Sequence, residues 1–144
     1  MNSVLAEFDR IARDTEHTRY QDAASLCVYA HTSLTLAREA SRAARRGDPA
    51  GQRVRVEGMR RVDTQLDITA HQAHQMDPAA AAGVRAAIAK AERAAAADNL
   101  TQYAACALEA AEEIWRYYAR RISETLATEN LAAKRPTHTA LVGA

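Results

Sequence analysis

The chain has 144 residues, enough for one domain with a proper core and too few for two ordinary ones. Alanine supplies 35 of them, against 5 glycines and 3 prolines, and the formal net charge is +1; this favours helix and argues against the strongly basic character of a dedicated DNA binder. No apolar run approaches the roughly 18 residues that a membrane-spanning helix needs, and no alternating run reads as a strand.

Helix A is expected over about residues 3–14, where Leu5, Phe8, Ile11 and Ala12 form one apolar stripe. Thr18-Arg19-Tyr20-Gln21 has the form of a capping box and predicts a fresh start for helix B, about 19–46. Its seam reads Tyr20, Ala24, Cys27, His31 and Leu34, with Ala23, Leu26, Ala30 and Ala37 beside it. Gly47 then closes the helix, and "GDPAG" is the turn.

Helix C, about 53–76, should bury Met59, Val62, Leu66, Thr69, Ala70 and Ala73. Gly58 lies inside it at a cost of about 1 kcal/mol relative to Ala. Either the helix starts later or something packs close there. Asp77-Pro78 restarts the chain as helix D, about 78–97, nearly all alanine around Val84 and Ile88. Asn99-Leu100-Thr101-Gln102 opens helix E, about 100–133, whose apolar face is Leu100, Tyr103, Ala107, Ala111, Ile114, Tyr118 and Ile122.

These lengths and short turns predict an all-α fold: an antiparallel up-and-down four-helix bundle, B to E, with a short additional N-terminal helix. The single domain covers 1–133, and 134–144 reads as a disordered C-terminal tail. The start, "MNSVLAEFDRIARD", lacks the parts of a signal peptide, so a cytoplasmic location is expected, with no membrane partner. Cys27 and Cys106 fit that compartment as reduced thiols lining the core, although one disulfide between them is conceivable.

Three places could carry function. Helix E would outrun helix D by about 20 Å, and Trp115, Tyr117, Tyr118 and Ile122 wrap much of its girth. An apolar surface that wide points to a protein partner or a homo-oligomer. This non-enzymatic interaction module is the leading expectation; contact with helix A or the tail is the plainer account.

The second place is "REASRAARRGDPAGQRVRVEGMRR", residues 38–61, where eight arginines meet only Glu39, Asp48 and Glu57. The B–C elbow gathers Arg42, Arg45, Arg46, Arg53 and Arg55, with Arg60 and Arg61 further along. Guanidinium forks suit carboxylate and phosphate, so an acidic ligand or nucleic acid is the second expectation. Cations at a helix C-terminus also complement its dipole without any ligand.

The third is a polar level inside the bundle. Cys27 and His31 share a side of helix B, and Asp67, His71 and His74 share a ragged side of helix C at the same height. Such residues bind transition metals in bundle interiors, yet the paired Glu-x-x-His motifs of di-iron bundles are absent. A polar layer that fixes helix register is the alternative, and composition calls for no cofactor. The sequence has no Gly-rich phosphate loop, nucleophile elbow or Cys-x-x-Cys pair, so no catalytic residues are expected.

Overall fold

The computed structural model describes the backbone of residues 2–143 and the side chains of 4–8, 10 and 15–129. The fold is all-α: α1 (Asn2–Arg45), α2 (Pro49–Gly58), α3 (Arg61–Ala73), α4 (Pro78–Ala96) and α5 (Leu100–Gly143), with no strand among the described residues.

Two of these boundaries depart from expectation. The short first helix does not exist as a separate element, because α1 runs unbroken through Thr18. Neither Gly nor Pro interrupts residues 14–18, and adding a residue to a helix costs far less than nucleating a new one. A capping signal with no stop signal before it is overridden. The expected stripe residues Ile11 and Ala12 lie outside the described side chains.

The second departure splits the expected helix C into α2 and α3. The Met59 amide is shared between Arg55 O at 3.2 Å and Val56 O at 3.1 Å, and Val62 N reaches back to Met59 O at 2.8 Å. These shortened bonds tighten the chain through Met59 and Arg60. Gly58 belongs there because α2 lies close on α1: a Cβ at 58 would sit 2.9 Å from Leu36 Cδ1. Both readings of the misplaced glycine therefore hold. The helix ends there, and something does pack close.

Gly47 stops α1 with φ 70°, and its Schellman bonds are Asp48 N to Ala43 O (2.9 Å) and Gly47 N to Ala44 O (3.1 Å). Asp48 Oδ1 then caps α2 through the Gly51 amide at 3.0 Å. At the end of α4 the same motif recurs with Asp98 in the left-handed position, φ 55°, and with Asn99 N bonded to Ala94 O at 2.9 Å. Asn99 Oδ1 caps α5 through the Gln102 amide at 3.1 Å. Glycine has no Cβ to crowd this backbone, so Asp98→Gly should stabilise the protein by about 0.5–1 kcal/mol, while Gly47→Ala should cost about 1 kcal/mol or more. Urea midpoints of the two variants check both signs.

Side-chain pairs fix the helix directions. Glu16 meets Arg121 and His31 meets Glu112, so α1 and α5 are antiparallel. Gly83 lies against Glu113 and Lys90 against Glu109, which makes α4 and α5 antiparallel. Arg55–Glu39 does the same for α2 and α1. In contrast, Asp63 of α3 lies against Tyr103, and Asp77, just past the end of α3, lies against Tyr117, so α3 runs parallel to α5.

Alanine dominates the seams and lets the helices approach closely. Ala81, Val84, Ala87, Ala91 and Ala94 of α4 are buried, with Ala104, Ala107, Ala110, Ala111 and Ile114 of α5. On α1 the seam centres on Ala23, Ala30 and Ala37, with Leu26, Leu34 and Ala40 beside them. On α3 it includes Val62, Gln65, Thr69, Gln72 and Ala73.

Candidate functional site

The turn between α3 and α4 sets a level in the molecule beyond which only α1 and α5 continue. Arg121 of α5 marks it. Its Nε donates to Glu16 Oε1 of α1 at 2.7 Å, and its guanidinium lies 3.9 Å from the Asp77 carboxylate. The same guanidinium sits 5.6 Å from the centroid of the Tyr117 ring, whose hydroxyl accepts the Asp77 amide at 3.4 Å. The hydrogen bond to Glu16 holds the guanidinium pKa above its ordinary value, more than offsetting burial, which acts the other way. This clasp ties three elements together at one height.

Residues 2–15 of α1 and 122–143 of α5 run on past the clasp, about 21 Å and 33 Å of helix at 1.5 Å per residue. We call this pair of ends the arm. Phe8 is 66% exposed, Leu5 64% and Leu126 53%, and Val4 is exposed too. α3 and α4 do not cover these side chains. The helical span of α5 includes 134–143, where a disordered tail was expected; the side chains there lie outside the described residues.

The aromatic belt of α5 resolves differently from its sequence reading. Tyr117 and Tyr118 are buried in the chain's own core, edge to face, with ring centroids 5.0 Å apart. Ile122 is half-buried, and Trp115 leans on Tyr20 of α1 at 6.2 Å while keeping 38% exposure. Most of the belt is spent inside the chain. The arm exposes Val4, Leu5, Phe8 and Leu126, and the excess length of α5 was its signal in the sequence; Val28, Tyr29, Val54 and Ile68 are exposed on the body of the molecule.

The supposed Cys/His/Asp level is not assembled. Cys27 is buried, but His31, Asp67, His71 and His74 are exposed, and no group of three or more His, Cys, Asp or Glu among the described residues could hold a metal ion. The centre of the α1 seam lies slightly to one side of the expected line, which leaves His31 in solvent, 3.7 Å from Glu112. Val62, Thr69 and Ala73 of α3 face inward as expected, with Gln65 and Gln72 beside them, and this leaves Asp67, His71 and His74 in solvent. That inward face is the polar layer: Thr69 Oγ1 bonds Gln65 O, while both Gln65 amide atoms and Gln72 Oε1 have no hydrogen-bond partner.

Neither cysteine is in a disulfide. Burial pushes the Cys27 thiol up to about 11, the Glu112 carboxylate adds to this, and Arg116 opposes it. A thiol so protonated is a poor nucleophile near neutral pH. The Tyr103 hydroxyl is likewise held above its ordinary range, first by burial and then by its hydrogen bond to Asp63.

No protein-family model, curated protein or solved structure matches this chain. Function must be read from its own residues.

At the elbow, the arginines divide into used and free. Arg55 Nε donates to Glu39 at 3.1 Å, and its Nη1 donates to Gly51 O at 3.0 Å. Arg42, Arg45, Arg46 and Arg53 are exposed, and among the described residues none has an ion-pair partner. No described helix is long and apolar enough to cross a membrane.

Proposed function

We propose that this chain is a non-enzymatic helical interaction module that self-associates, arm to arm, through the projecting ends of α1 and α5. The observation that carries the proposal is the exposure of Val4, Leu5, Phe8 and Leu126 on two helices that continue beyond the clasp. Val4 to Phe8 are all exposed, and past the clasp the described part of α5 is no more than part-buried, at Ile122, Thr125 and Glu129, so both helix ends carry open faces. A second copy, related by a two-fold axis, supplies two more antiparallel helices and closes a four-helix packing, the arrangement best suited to covering such faces.

Burial of each of these side chains contributes about 1–2 kcal/mol, since each is only partly exposed beforehand. Much of that sum is offset by the cost of association, so the dimer is expected to dissociate in the micromolar range. Sedimentation velocity from about 1 to 100 µM should show the sedimentation coefficient rising from monomer to dimer. A monomer throughout that range contradicts the proposal.

A further inference from the structure

The clasp and arm make no use of the opposite end of the molecule, where the densest charge in the chain lies. Arg38, Arg42 and Arg45 recur at i, i+4 and i+7, and Arg46 extends the same exposed side of α1. The stripe rises about 12 Å, with the backbone positions of Arg38, Arg42 and Arg45 about 4–6 Å apart along the helix axis and Arg46 just past its end. Arg53 stands across the Gly47 turn on α2.

We propose that Arg38, Arg42, Arg45 and Arg46, with Arg53, bind the phosphate backbone of duplex nucleic acid without reading its sequence. The acidic groups nearest in sequence are committed elsewhere, Glu39 to Arg55 and Asp48 to the amide of Gly51. Among the described residues no carboxylate forms an ion pair with any of the five arginines. A helix dipole accounts for Arg42 and Arg45 in the last turn of α1. It does not account for Arg38 before that turn, nor for Arg53 in the middle of α2, away from its last turn.

Chemistry then selects the ligand. The guanidinium fork matches phosphate oxygens, and an exposed row of cations gains by releasing condensed counterions. Val54, next to Arg53 and 69% exposed, is the one exposed large apolar side chain at the stripe among the described residues, and a lone valine is a poor anchor for a protein interface, whose hot spots favour Trp, Tyr and Arg. The stripe also lacks aromatic rings on which unpaired bases could stack, which favours duplex over single strand.

The test is fluorescence anisotropy of a labelled DNA duplex of about 20 base pairs, titrated with the full chain. Binding is expected at about 50 mM salt and should weaken about 500-fold by about 200 mM, the dependence for five phosphates neutralised by the five arginines. The triple variant Arg42→Gln, Arg45→Gln, Arg46→Gln should lose at least tenfold in affinity with its helical circular dichroism intact. Arg60→Gln with Arg61→Gln should stay within about twofold of the parent, because those side chains lie outside the stripe. No binding at low salt, equal binding by the triple variant, or preference for poly-glutamate over the duplex would overturn the proposal; the last would mark an acidic protein as the ligand.

Discussion

Tyr118→Ala is expected to destabilise the protein by about 3–5 kcal/mol, a large share of the roughly 5–15 kcal/mol that holds a domain of this size together. Tyr118 is 1% exposed and is among the largest fully buried side chains. It lies where α1, α3, α4 and α5 converge, in one cluster with Ala23, Ala73, Met76, Val84 and Ile114. So many of its neighbours are alanine that little can move in to fill the space, and the cavity cost should be at the upper end. A thermal midpoint lower by about 10 °C or more is the expected readout.

The companion variant separates packing from polarity. No hydrogen bond of ordinary length reaches the Tyr118 hydroxyl, although the Arg19 guanidinium lies near enough to act on it. Burial holds it above the ordinary phenol range, partly opposed by Arg19. Tyr118→Phe removes an unpaired polar atom and keeps the ring, so stability should be unchanged or slightly raised. A loss above about 1 kcal/mol would mean that the hydroxyl has a partner in solution.

Phe8→Glu with Leu126→Glu should reduce the association constant at least 100-fold, about 2.7 kcal/mol. In the single chain both positions are more than half exposed, so the monomer should lose no more than about 0.5 kcal/mol. In the dimer the same substitutions put carboxylates where apolar surfaces meet and bring like charges together. Trp115→Ala makes the contrast. Trp115 leans on Tyr20 of its own chain, so its removal should leave association untouched. Sedimentation of the two variants beside the parent checks both statements.

Helix stops and starts with a local chemical cause were legible in the sequence. Gly47 ends α1, Pro78 opens α4, and Asn99 caps α5 where the residues alone placed them. The buried face of α5 was also legible, since Tyr103, Ala107, Ala111, Ile114 and Tyr118 are all buried. Leu100, at the edge of that face, is exposed. Features decided by long-range packing were not legible. The fusion of the first two expected helices reflects cooperativity along α1, which a capping pattern at Thr18 does not report. The side chain that Gly58 lies against, Leu36, is twenty-two residues earlier in the chain, a contact that no local pattern reports.

The candidate sites divide along the same line. On α1 the buried seam takes in Ala23, Ala30 and Ala37 together with Cys27 and Leu34, so its centre lies slightly to one side of the expected line and His31 is left in solvent. Equal height is not the same as facing inward: Asp67, His71 and His74 lie on a side of α3 open to solvent, while Val62, Thr69 and Ala73 are buried as expected. The inward glutamines, Gln65 and Gln72, were passed over because uncharged amides carry no periodic apolar signal. The arginine elbow needed no tertiary information to be noticed. Which of its members are already paired could be seen only once Glu39 was found beside Arg55.

The most direct test of arm-to-arm association is the distance between two copies, measured by pulsed dipolar spectroscopy. A nitroxide attached through Ser123→Cys sits on the exposed base of the arm, and the buried native thiols should label slowly. The arm model predicts an intermolecular distance below about 40 Å for Ser123→Cys, and none within range for the same label at Arg46→Cys, about 45 Å of helix beyond the clasp. A short distance at position 46, or no dipolar coupling from position 123 at concentrations where a dimer sediments, would contradict it.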